Sequence, residues 1–160
     1  MTESKESNER SNTVGKAIAN TMAKSFELSS LEVIDKFNLL ENSLLENVTN
    51  SVEMLEIKRR IAEAKISIIF EKSDSKDVFE GVWDNFHTLG YSTAEREATM
   101  LFYRTQFLIR NKYDKPLVIN SIERLGEIAN GFENDQSEQL SQHFKKVHKN
   151  LIIEMNDKYS

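Results

Sequence analysis

The chain has no cysteine, one proline and five glycines in 160 residues. Without cysteine there is no disulfide framework, no thiolate zinc site and no cysteine nucleophile. That absence fits a reducing compartment, so a cytoplasmic location is expected. All-β folds need turn residues about every 8–12 positions, and so few Pro and Gly cannot supply them. No apolar run approaches the ~20 residues a membrane-spanning helix requires. The first ten residues, Met1 to Arg10, are polar and mixed in charge, without the apolar stretch of a secretory signal. Asn47-Val48-Thr49 matches a glycosylation sequon but carries no weight without such a signal. An excess of positive charge is also missing. The formal charge is -5, from 21 basic and 26 acidic residues, and offers no global attraction to nucleic acid or anionic lipid.

What remains is 39% hydrophobic and 29% charged residues, with a mean hydropathy of -0.52. This suits one globular domain of ordinary size. The expected fold is all-α, a helical bundle of about five or six helices joined by short loops, with antiparallel neighbours. Residues 1–12 hold no apolar side chain after Met1, so they are expected to form a disordered tail. Residues 13–160 are expected to form a single helical domain.

Within that domain Thr13 is placed to cap a short helix carrying Val14, Ala17, Ile18 and Met22. From Ser29 to Lys72 there is neither Pro nor Gly, so one long or once-broken helix is expected around 29–72. Ser29 precedes Glu32 by three residues, a capping-box spacing. Asn50 and Glu53 have the same spacing, and a break at 47–51 is the alternative to continuity. Leu45, Val48, Val52, Leu55, Arg59, Ala62, Ile66 and Ile69 run at strict 3-4 spacing across the suspected break and favour continuity. Upstream, the stripe shifts to Val33, Phe37, Leu40 and Leu44.

Ser73-Asp74-Ser75 is the first clear linker, and Asp74 or Ser75 is expected to cap the helix after it. That helix carries Phe79, Val82, Trp83, Phe86 and Leu89, with Gly90 at a left-handed C-terminal position. Ser92 to Glu95 has capping-box spacing and opens a helix that is apolar nearly all round, with Ala98, Met100, Leu101, Phe102, Tyr103, Phe107 and Leu108. Asp114-Lys115-Pro116 reads as a helix start. Val118, Ile122, Leu125 and Ala129 form the buried face of that helix, and Asn130-Gly131 is expected to end it. Leu140, Phe144, Val147, Leu151 and Met155 mark the last stripe.

Site chemistry is sparse. His143 and His148 are five apart and diverge on a helix. Asp84 and His87 have the i, i+3 spacing of di-iron bundles, but the motif occurs once where such bundles need it twice. No serine sits on a strand–turn–helix elbow, and no Gly-rich phosphate loop is present. Neither catalysis nor a metal or cofactor is expected. Ser92-Thr-Ala-Glu-Arg-Glu97 resembles the opening of a LuxR-type helix-turn-helix over six residues, which implies DNA binding. No recognition helix follows it in recognisable form. Arg104, Arg110, Lys112 and Lys115 make a basic patch, so a nucleic-acid-binding regulator is the alternative reading.

The leading reading is a non-catalytic protein–protein interaction module of inhibitor, immunity, chaperone or adaptor type. Residues 27–56 hold seven acids and one base, and residues 57–76 hold six bases and three acids. A helix dipole acts only over about a turn, whereas this polarity runs for many. Antiparallel pairing would set acidic halves on basic halves, so a homodimer or a partner helix of opposite polarity is expected. The expected contact residues are Glu41, Leu45, Glu46, Val48, Val52, Glu53, Leu55, Glu56, Ile66 and Ile69.

Overall fold

The computed structural model describes residues 2–91, 93–134 and 137–160. Among them are seven α-helices and no strands: α1 (Thr2–Ser25), α2 (Ser30–Leu45), α3 (Ser51–Ile69), α4 (Phe79–Leu89), α5 (Ala94–Arg110), α6 (Lys115–Asn134) and α7 (Glu138–Lys158). The chain divides into two compact units, Met1–Gly90 and Tyr91–Ser160, where length alone suggests one domain over 13–160.

In the first unit α3 is central and packs against α1, α2 and α4. The once-broken alternative for residues 29–72 is the observed one. α2 stops at Leu45, and Asn50 caps α3 by accepting hydrogen bonds from the backbone N–H groups of Val52 and Glu53 at 2.8 and 3.2 Å. The 3-4 spacing that crosses this point therefore does not mark one continuous seam. A single helix of that length would run about 60 Å with both stripes in water. Folding back instead lets α2 bury Val33 and Phe37 and α3 bury Ile57, Ile61 and Ile66. Tertiary burial outweighs the local preference for continuity.

α1 begins at Thr2 and covers most of the segment expected to be a disordered tail. Apolar anchoring is confined to its second half, where Val14 and Ile18 are buried. Thr13 is not a cap; its hydroxyl donates to the carbonyl of Glu9 inside the helix. At the other end of the hairpin, α4 buries Phe79, Val82, Trp83 and Phe86, as its stripe predicts. Phe70 lies 4.7 Å from Phe79 and 6.5 Å from Trp83, ring centre to ring centre. Arg59, the one polar member of the 3-4 series, donates from Nε to the carbonyl of Leu89 and so closes the C-terminus of α4. Gly90 follows with φ of 78°, a conformation that disfavours any side chain.

The second unit is a three-helix arrangement in which α5, α6 and α7 each pack on the other two. α5 is buried on most sides, through Ala98, Met100, Leu101, Thr105, Phe107 and Leu108. Its N-cap is Thr93, whose hydroxyl accepts from the N–H of Arg96; the Ser92 cap expected from the sequence lies outside the described residues. α6 starts at Lys115 as expected but continues through Asn130-Gly131 to Asn134. Phe132 explains the continuation: it is buried and stacks on Phe144 of α7 at 5.7 Å. That packing offsets the ~1 kcal/mol by which a helical glycine falls short of alanine. The hydroxyls of Thr105 and Ser121 share a buried hydrogen bond of 2.6 Å between α5 and α6.

Gly126 of α6 faces the His148 ring of α7 closely. A Cβ there would lie 2.9 Å from Nε2 of His148 and 3.1 Å from its Cδ2. Gly126→Ala therefore has to displace the half-buried His148 ring, and is expected to gain less than the ~1 kcal/mol that its better helix propensity offers. In a His148→Ala background the same change should stabilise by up to about 1 kcal/mol. Urea denaturation of the four proteins checks this. Equal effects of Gly126→Ala in both backgrounds would show that the ring does not set the approach.

Candidate functional site

The α2–α3 turn creates an opening that α1 borders. When α3 folds back, Leu44 at the end of α2, Val48 in the turn, and Val52 and Ile57 on α3 form an apolar floor. Residues of α1 from Glu6 to Val14 stand over it. The groove between them has a volume of about 720 Å³. Val52 is 75% exposed, far more than an aliphatic residue on a packed helix needs to be.

Two arginines hold α1 to α3 across this groove. Arg10 of α1 donates from Nε and Nη2 to the two carboxylate oxygens of Glu53, at 3.2 and 2.8 Å. This forked geometry fits guanidinium to carboxylate, and Glu53 raises the Arg10 pKa above its ordinary value. In the reverse direction Arg60 of α3 donates to the carbonyl and hydroxyl oxygens of Ser11, at 3.2 and 3.3 Å. Its guanidinium passes so close to α1 that a Cβ on Gly15 would sit 2.8 Å from Nη2. Four carboxylates line the groove, Glu6, Glu9, Glu53 and Glu56, against these two arginines.

Of the ten residues expected to bind a partner, Val48, Val52, Glu53 and Glu56 come together in this groove. Leu45 is half-buried at the end of α2, Glu46 is its exposed C-cap residue, and Leu55 is 36% exposed on α3. Ile66 and Ile69 are fully buried and belong to the core, about 20 Å along α3 from Val52. Glu41 is half-buried and acts electrostatically on Lys65 of α3. Burial pushes the Lys65 ammonium below its ordinary pKa, and Glu41 opposes that shift. The ammonium also donates to Asn38 of α2 at 3.2 Å. Lys72, just beyond α3, donates to the carbonyl of Phe26, just before α2. Antiparallel pairing of α2 and α3 thus uses part of the acid-to-base polarity within one chain.

Elsewhere, Asp84 and His87 are exposed on α4, and His143 lies with its ring edge against Phe144. Among the described residues no three His, Asp or Glu side chains converge as a metal site. Arg110, Lys112 and Lys115 are exposed around the α5–α6 turn, and Arg104 is half-buried. The second unit holds ten acids and ten bases, so the chain's net negative charge resides in the first unit, with sixteen acids and eleven bases.

Sequence reasoning passed over Arg10 and Arg60 and gave Asp74 a different role. For the arginines the available signal was Gly15, a glycine inside a helix with no turn to explain it. Asp74 does not cap the helix after it. Its carboxylate reaches back 44 residues to α2, accepting from the Ser30 hydroxyl at 2.7 Å and the Ser30 N–H at 3.1 Å. Ser29, the N-cap residue, accepts from Glu32 N–H beside it.

These bonds from Ser30 hold the Asp74 carboxyl below the usual carboxylate range. A depressed folded-state pKa stabilises the fold above the ordinary value of ~3.9 and loses that contribution as pH falls through the folded value. Asp74→Ala is expected to cost about 1 kcal/mol at pH 7, the usual scale of a lost N-terminal cap. The gap from the parent chain should narrow between about pH 4 and pH 2. Chemical denaturation across that range measures it, and a gap independent of pH would remove the carboxylate charge from the account.

No protein-family model matches this chain, and no curated protein or solved structure matches it.

Proposed function

We propose that the chain is a non-catalytic protein–protein interaction module whose contact surface is the groove at the α2–α3 turn. The observation that carries this reading is the exposed apolar floor. Val52 is 75% open to water, with Leu44 and Val48 beside it, at a space of about 720 Å³ bordered by four carboxylates and two arginines. Recognition sites are concave and mostly apolar, with a few placed charges. The apolar side chains would supply affinity, and the acidic rim would set partner choice and orientation. Being free of cysteine, such a module suits a reducing compartment such as the cytoplasm. A second copy of the chain is the other occupant that the charge polarity suggests, in an antiparallel homodimer.

Val52→Asp and Leu55→Asp test the reading. Val52 stands largely in water, so its substitution should change stability by no more than about 0.5 kcal/mol, whereas Leu55, 36% exposed, should cost about 1–2 kcal/mol; helicity should persist in both. Assembly and partner capture should be lost. Circular dichroism, light scattering and quantitative affinity capture from the native host follow the three quantities. A mass that exceeds the monomer and falls with either substitution identifies the homodimer; a monomeric mass leaves a separate protein as the occupant. Unchanged mass and unchanged captured proteins would remove this surface from the function. Unfolding by Leu55→Asp would make it ordinary core.

A further inference from the structure

The stretch of α1 that borders the groove, residues 5–13, has no apolar side chain. It nevertheless stands over a floor made by Leu44, Val48, Val52 and Ile57. Its hold there is polar: Arg10 on both oxygens of Glu53, at 3.2 and 2.8 Å, and Ser11 under Arg60, at 3.2 and 3.3 Å. Both side chains are partly open to water, 51% for Arg10 and 26% for Glu53, and exposed ion pairs of this kind hold weakly. The segment pairs Glu53 and leaves the apolar area unfilled.

Resting on the reading above, we propose that the groove takes an arginine-bearing amphipathic helix from another protein. Its apolar side chains, at i, i+3 or i+4 spacing, fill the space above Leu44, Val48 and Val52. One guanidinium replaces Arg10 on Glu53. Residues 5–13 of α1 are then an intramolecular stand-in for the partner, carrying the polar half of the contact and lacking the apolar half. Charge complementarity selects this partner over an acidic one. Outside the α1 segment the carboxylates at this space are Glu53 and Glu56 of α3, and the cation there, Arg60, is turned toward Ser11 of α1. Helix-in-groove binding of this type is read through anchors on one face of the incoming helix.

Two synthetic 16-residue helical peptides serve as probes. Both carry Leu at one helical face; one has Arg and the other Glu at the flanking charged positions. Fluorescence anisotropy measures their binding to the full chain. The Leu/Arg peptide is expected to bind, and the Leu/Glu peptide at least tenfold more weakly. Arg10→Ala should tighten the Leu/Arg peptide severalfold by removing the competitor. Glu53→Gln, which keeps the shape of the side chain, should weaken it about tenfold. Leu117→Asp, in the second unit, should change nothing. Circular dichroism confirms that each variant is folded. Equal binding of the two peptides, or an Arg10→Ala chain that binds no better than the parent, overturns the proposal. If Val52→Asp abolishes both peptides equally, the groove still docks proteins and only the arginine requirement fails. If neither peptide binds, this inference falls, and the assembly test of Val52→Asp above decides the broader reading independently.

Discussion

The side-chain oxygen of Asn50 takes the N–H groups of Val52 and Glu53, and the rest of the first unit depends on the turn this allows. Five residues after α2 ends, the chain is capped into a new helix running back along the old one. Ordinary helix signals on both sides would permit a straight continuation. The turn is favoured because it brings two amphipathic faces together. Phe37 and Ile61, both without exposed surface, would otherwise face water unless a second chain covered them.

From that turn follow the features that give the unit its character. The 3-4 series splits into a buried half at Ile66 and Ile69 and an open half at Val52 and Leu55. The acid-to-base polarity becomes partly internal, with Lys65 near Glu41 and Lys72 on the carbonyl of Phe26. The acids left near the turn then stand beside an unfilled apolar space. α1 meets this place through the polar contacts of Arg10 and Ser11, so the groove is bordered but not filled.

Much of the local structure was legible. Ser29, Asn50, Gly90 and the Asp114-Lys115-Pro116 start act where their spacing places them, because caps depend on residues within one turn. Val33 and Phe37 on α2, and Phe79, Trp83 and Phe86 on α4, are buried as their periodicity requires. Errors arose where a distant contact overrode a local preference. Residues 2–12 are helical although they lack apolar anchors, with Arg10 and Ser11 bound to α3. Asn130-Gly131 does not end α6, because Phe132 packs on Phe144. Asp74 serves a helix 44 residues earlier rather than the next one.

By itself the sequence determined that the chain is helical, where α2 and α6 begin, and which face of most helices is apolar. Those properties follow from backbone capping and from the 3.6-residue period, both set by near neighbours along the chain. Only the tertiary structure decided that residues 29–72 are a hairpin, that a polar N-terminal stretch lies against it, and that four of the ten expected contact residues share one groove. Each of these depends on side chains more than twenty residues apart, and a periodic pattern cannot say whether its apolar stripe will be buried by another segment or by another molecule.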